Sequence, residues 1–247
     1  MGEQLGDRET GQETGLIDFT DRSQVARAIQ YTNVTPNLTR AEAVRHVETC
    51  VEYGFDAAMI SPCYCRLAAG ILSGTGVKVA TTLNFPQAND TLAMKLVALR
   101  ELAKTGAEQF DFPPNPGLLV GGETQLYAHE LREVVRVAHE EGLVVKAMLE
   151  FGFLDEQQKA LAAHIATEAG VDWIKNSSGW GAGGCAAVVE DVRLLVASTH
   201  APTRVKVSGK VNSLEKMKAL FEAGAELVGT SSGPQIVEGL EGDAAAY

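Results

Sequence analysis

Residues 155–180, DEQQKALAAHIATEAGVDWIKNSSGW, hold the unit from which the rest of the chain can be read. Apolar residues recur with helical period over 155–169, Gly170 follows where a helix end favours a left-handed residue, and the short run 173–176 reads as a strand. That strand delivers Lys175 to a polar turn, Ser177-Ser178-Gly179. The helix-to-strand joint recurs in the chain: "TGAE" at 105–108 and "AGAE" at 223–226 are close variants of "AGVD" at 169–172, and each leads into a strand.

Working outward, runs rich in Val, Ile, Ala and Phe read as strands at 28–32, 56–61, 77–84, 108–112, 143–150, 173–176, 204–208 and 227–230. Helical segments lie between them near 40–53, 62–73, 90–105, 123–141, 155–169, 186–198, 213–223 and 234–240. Thr39 followed by Glu42 has capping-box spacing at the first helix, and Gly54, Gly106, Gly142, Gly170 and Gly224 each sit where a helix should end. Eight β/α units predict an α/β fold, a closed parallel (β/α)8 TIM barrel, as one domain over 16–247 after a polar segment, 1–15, expected to be disordered. An open doubly wound sheet would more often carry a glycine-rich dinucleotide fingerprint after its first strand, and "YTNVTPNLT" at 31–39 has none.

Composition excludes several classes of function. The 247 residues carry 21 basic and 32 acidic side chains, a net charge of −11, with no Lys/Arg run suited to a phosphate backbone, so no nucleic-acid partner is expected. Membrane association is not expected either, because no apolar run approaches the ~20 residues that span a bilayer. The polar, acidic start is unlike a signal peptide, and the expected location is the cytoplasm. Cys50, Cys63, Cys65 and Cys185 are too few for a disulfide framework, and Cys63-Tyr64-Cys65 lacks the spacer of a zinc pair. Buried reduced thiols and no metal or cofactor are expected.

In a barrel of this kind the active site is built at the C-terminal ends of the strands. Asp111 ends the fourth, Lys146 and Glu150 lie on one face of the fifth, Lys175 ends the sixth, and Lys206 lies on the seventh. Lysines converging inside a barrel are costly to keep charged, which favours a nucleophilic amine able to form an imine with a carbonyl substrate. Asp111 could relay the protons that such chemistry requires. The rival reading is a salt-bridge network at the rim of a non-catalytic binding barrel. Glycine-rich turns at 207–211, 229–233 and 177–184 offer backbone N–H groups where many barrels bind phosphate, although such turns are also ordinary connectors.

Seven segments in unbroken order between about residues 28 and 240 resemble the 2-deoxyribose-5-phosphate aldolase family, metal-independent class I aldolases. They are "AAMISPCYCRLA", "VKVATTLNFPQAND", "TGAEQFDF", "VKAMLEFGFLDEQQK", "DWIKNSSGWGAGG", "VKVSGKV" and "ELVGTSSGPQIVEG". The resemblance implies reversible cleavage of 2-deoxyribose 5-phosphate to acetaldehyde and glyceraldehyde 3-phosphate, with a small carbonyl or sugar-phosphate substrate as the partner. It identifies Lys175 with the Schiff-base lysine, Lys206 with the second lysine that tunes the first and takes part in proton transfer, and Asp111 with the aspartate of the proton relay. Gly209, Ser231 and Ser232 fall on phosphate-binding positions, and Ser178, Gly179, Lys210, Gln30 and Lys146 complete the expected substrate site. Since family members form dimers or tetramers, a homo-oligomer is implied.

Departures from the family pattern concentrate near the same site. Gln30 stands where the family carries an acid, and it cannot relay a proton as a carboxylate does. Asn176 replaces a threonine beside the lysine, Pro113 and Pro114 follow Asp111, and Ser208-Gly209-Lys210-Val211-Asn212 replaces a loop with a second glycine and an arginine. These changes raise an alternative, a related lysine-dependent aldolase acting on a different carbonyl compound. His46, His129, His139, His164 and His200 fall in helices or the turn after one and read as solvated or structural. Trp180 reads equally as a roof over the pocket or as ordinary loop packing, and in the family a terminal tyrosine, here Tyr247, can reach the active site.

Overall fold

The structure, a computed structural model, describes residues 17–239 and Gly242; the segment 1–15, residue 16 and Tyr247 lie outside the described residues. The strands are β1 (Ile29–Asn33), β2 (Ala57–Ile60), β3 (Lys78–Thr82), β4 (Gln109–Phe112), β5 (Val144–Met148), β6 (Trp173–Lys175), β7 (Arg204–Ser208) and β8 (Leu227–Thr230). Each pairs in parallel with the next, and β1 with β8, so the expected eight-stranded barrel is closed.

The helices are α1 (Arg22–Arg27), α2 (Arg40–Tyr53), α3 (Cys65–Leu72), α4 (Leu92–Ala103), α5 (Pro116–Val120), α6 (Thr124–Glu140), α7 (Glu156–Glu168), α8 (Val189–Ala197), α9 (Leu214–Glu222) and α10 (Gly233–Glu238). Thr39 and Glu42 form the expected capping box, and Asp155 with Gln158 forms a second at α7. All five glycines assigned to helix ends have positive φ, from +67° at Gly54 to +111° at Gly224.

Three short elements escaped the sequence pattern. α1 and α5 have six and five residues, too few for a period to emerge, and are started by Asp21 and Asn115 side chains accepting backbone N–H groups. The helix expected from 62 opens instead as a 3-10 turn at Pro62–Tyr64, and the α-helix begins at Cys65.

Strand alternation splits the buried side chains into two cores. Phe110 and Phe112 face the helices and pack in the main cluster with Tyr127, Leu131 and Val134. Inside the barrel the apolar part is small: Ala57, Met59 and Ala80, capped by Val34. The lumen opposite them is filled by lysine stems, with Lys146 and Lys206 among the largest fully buried side chains.

Outside the barrel, Lys95 of α4 and Glu130 of α6 form a buried ion pair at 2.8 Å. Cys50 and Cys65 are buried as expected; Cys63, in the 3-10 turn, is exposed and Cys185 is half-buried. Among the described residues no helix is long and apolar enough to cross a membrane.

Candidate active site

Lys175 ends β6 with its Nζ 2.7 Å from Asp111 Oδ2, and the same oxygen accepts from Lys206 Nζ at 2.8 Å. β4 and β7 bring these partners in because each places every second side chain into the lumen, so Asp111 and Lys206 both point inward and meet. Lys146 Nζ approaches Asp111 Oδ1 at 3.5 Å and makes no hydrogen bond among the described residues. One carboxylate therefore faces three amines.

The electrostatics follow from burial and from that imbalance. Burial alone would raise the Asp111 carboxyl, but the ammonium groups of Lys175, Lys206 and Lys146 overcome it and hold the group below the usual carboxylate range. Lys206 is pushed well below the usual lysine range by burial; Asp111 pulls it back, and its two lysine neighbours add to the depression. Lys146 is lowered too, again chiefly by burial. A cluster so short of negative charge favours at least one neutral amine.

Only one of the three amines faces the substrate space. The cleft is lined by Thr32, Met59, Thr82, Phe85, Asp111, Met148, Lys175, Ser178, Ser208, Gly229 and Thr230, while Lys206 and Lys146 are fully buried beneath it. Gln30 is also fully buried, one layer down, where its Oε1 accepts from Lys206 Nζ at 2.6 Å. So of the residues expected to touch substrate, Lys175, Asp111 and Ser178 line the cleft, whereas Gln30 and Lys146 support it from below. Trp180 packs edge-on against Phe85 at the rim, with ring centroids 6.4 Å apart.

The turn after β6 is fixed by Ser177, which is absent from the sequence-based site. Its Oγ accepts from the N–H groups of Gly179 (3.0 Å) and Cys185 (2.9 Å) and lies 3.3 Å from the buried Glu150 carboxylate, whose proton affinity burial raises. Asn176 brackets the next strand: its Nδ2 donates to Ser208 O at 3.1 Å and its Oδ1 accepts from Ser208 N at 3.0 Å.

The loop after β7 keeps a strained path despite its altered sequence. Gly209 has φ +104°, and a Cβ there would lie 2.0 Å from the Cys185 carbonyl oxygen. Lys210 has φ +53° with an exposed side chain, so a lysine holds the left-handed conformation that a glycine adopts more readily. Lys216 Nζ donates to its carbonyl at 2.7 Å.

Two opposite outcomes are expected from thermal melts. Gly209→Ala should destabilise by at least about 1–3 kcal/mol. Lys210→Gly should stabilise by up to about 1 kcal/mol, the relief of left-handed strain less the added chain entropy.

Ser231 is half-buried and Ser232 buried at the start of α10, beside the same loop. Gly242 crosses here: its N–H donates to Asn212 O at 2.6 Å, and a Cβ on it would meet Ser232 Oγ at 2.3 Å.

No protein-family model matches the chain. Among curated relatives it is 40% identical over 215 residues to the deoxyribose-phosphate aldolase of Caldanaerobacter subterraneus subsp. tengcongensis, covering 87% of this chain and 92% of that one. It is 37% identical over 217 residues to the enzyme of the same name from Thermococcus gammatolerans, covering 87% and 96%. The chain belongs to the deoxyribose-phosphate aldolase family.

Solved structures agree with that membership. A tetrameric deoxyribose-phosphate aldolase from Aeropyrum pernix superposes with a TM-score of 0.81 at 26% identity, covering 89% of this chain and 92% of that one. An aldolase designated QR15 gives 0.81 at 30% identity, covering 87% and 94%. The family's members are carbon–carbon lyases.

Proposed function

We propose that the protein is a class I aldolase that reversibly cleaves 2-deoxy-D-ribose 5-phosphate to acetaldehyde and glyceraldehyde 3-phosphate. The observation that carries the reading is that Lys175, alone of the three clustered amines, reaches the cleft while hydrogen-bonded to Asp111. In this mechanism Lys175 Nζ attacks the aldehyde carbon of the open-chain sugar and water leaves, giving a protonated imine. A base takes the proton from the C3 hydroxyl, the C2–C3 bond breaks, and its electron pair flows into the imine to give an enamine. Protonation at C2 and hydrolysis then release acetaldehyde and return the free amine.

Asp111 and Lys206 share hydrogen bonds with each other and Asp111 with Lys175, which suits them to hold and return these protons. In this reading the substrate phosphate meets the loop at Gly209 and Lys210, whose left-handed backbone supports a tight turn there, with Ser231 and Ser232 beside it and the Lys210 ammonium as a point charge. The alternative of a different carbonyl substrate finds no support in the relatives, which share one name at 36–40% identity. A homo-oligomer in the cytoplasm completes the proposal, and light scattering tests the assembly.

The chemistry is tested by incubating the protein with acetaldehyde and borohydride. Peptide mass spectrometry should find a reduced adduct on Lys175 that disappears in Lys175→Ala. Absence of any adduct, with acetaldehyde or with deoxyribose 5-phosphate, overturns the imine mechanism.

A further inference from the structure

We propose that Asp56, at the foot of β2 on the side of the barrel away from the substrate, is a positioning residue for the aldol reaction that acts on Lys206 through the side-chain amide of Gln30. The inference rests on the reading that Lys206 serves that reaction.

Gln30 makes three hydrogen bonds, and together they fix which way its amide faces. Its Nε2 donates to Asp56 Oδ2 at 2.8 Å and to Gln109 Oε1 at 3.0 Å, while its Oε1 accepts from Lys206 Nζ at 2.6 Å. Turned over, the amide would aim an NH2 at the lysine and an oxygen at the aspartate, so both contacts would fail.

The two partners of the NH2 differ in how firmly they enforce this. Gln109 is itself an amide, and its own Nε2 has no hydrogen-bond partner among the described residues, so it could turn over together with Gln30. An ionised carboxylate has only acceptors. Asp56 is thus the partner that cannot accommodate the wrong orientation.

The side chain is placed for this task. Asp56 is 16% exposed, and its second oxygen accepts from Lys78 Nζ at 2.6 Å, itself 49% exposed. A hydrogen-bonded chain therefore runs from Lys78 through Asp56, Gln30, Lys206 and Asp111 to Lys175. Gln30, an amide between a carboxylate and an amine, transmits the influence of Asp56 as an oriented dipole. Gly229 lets the lysine stem lie close against the β8 backbone: a Cβ there would stand only 3.3 Å from Lys206 Cε.

The test is kinetic, with a structural arm. Asp56→Asn keeps the size of the side chain but can itself turn over; it should lower kcat for deoxyribose 5-phosphate by about 10- to 100-fold through a misplaced Lys206, with KM near the wild-type value. In a Gln30→Met background, where no amide remains to orient, the same change should have no further effect.

A wild-type kcat for Asp56→Asn overturns the proposal, as does an undiminished loss in the Gln30→Met background. Neutron diffraction of the wild-type protein reads the amide directly, whether or not the variants fold. Deuterons on the atom facing Asp56 support the proposal, and deuterons facing Lys206 overturn it. A wild type inert towards deoxyribose 5-phosphate would instead count against the functional reading, and the neutron arm would still report on the amide.

Discussion

Asp111→Asn is expected to lower kcat for deoxyribose 5-phosphate cleavage by about 10²- to 10⁴-fold, the span usual for loss of a positioned acid or base. The carboxylate is fully buried and is the shared acceptor for Lys175 and Lys206. Asparagine keeps the shape but removes the charge, leaving three amines around a neutral amide. A kcat within threefold of wild type would reduce Asp111 to a structural role.

Stability should change with pH in a way that identifies the same group. In the wild type the depressed carboxyl contributes stability that is present above its unfolded value of 3.8 and is lost as pH falls below it. In Asp111→Asn that contribution is gone. The buried lysines, whose folded proton affinity lies below 10.5, then dominate, so the variant should gain stability as pH rises towards that value. Near neutral pH the loss is about 3–5 kcal/mol if the amines stay charged. Urea unfolding across the pH range measures both effects.

Lys95→Met should cost about 3–5 kcal/mol, because it leaves the Glu130 carboxylate buried without its counter-ion. Lys95 is fully buried and donates to Glu130 Oε1 at 2.8 Å and to Ala88 O at 2.6 Å, tying α4 to α6 and to the loop that carries Phe85. The double variant Lys95→Met/Glu130→Leu should recover most of the loss. A residual of about 1–3 kcal/mol should remain, because the Asn115 N–H, 2.8 Å from Glu130 Oε1, loses its acceptor. Urea midpoints decide it: a single-variant cost below about 1 kcal/mol would mean that the pair contributes no more than a surface bridge.

The barrel was legible because its signals are local. Helix-ending glycines and a period that switches from helix to strand each need only a few neighbouring residues. The cluster was legible for the same reason: alternation on β4 to β7 is enough to aim Asp111, Lys146 and Lys206 inward. Gln109 lies two residues before Asp111 and shares its face, a signal that was present and went unused.

The depth of each group was not legible. Gln30 and Lys146 were expected at the substrate, yet which layer a side chain occupies depends on the stagger between strands, and no single strand encodes it. Asp56 reads in the sequence only as the opening residue of its strand; it lies just before β2 and reaches inward from the end. Ser177 was legible only as part of a polar turn; its bonds reach Glu150 and Cys185, 27 and eight residues away.

The bracket between Asn176 and Ser208 has a consequence for how this chain can vary. A closed barrel deforms by sliding neighbouring strands past each other, and paired side-chain bonds to one backbone residue oppose sliding along the seam between β6 and β7. That is the seam whose strands carry Lys175 and Lys206 as register partners. With the two amines held in step by a neighbour of the first, the loops above them are released from that duty. Substitutions such as the lysine at 210 can then accumulate at the mouth without pulling the amines apart.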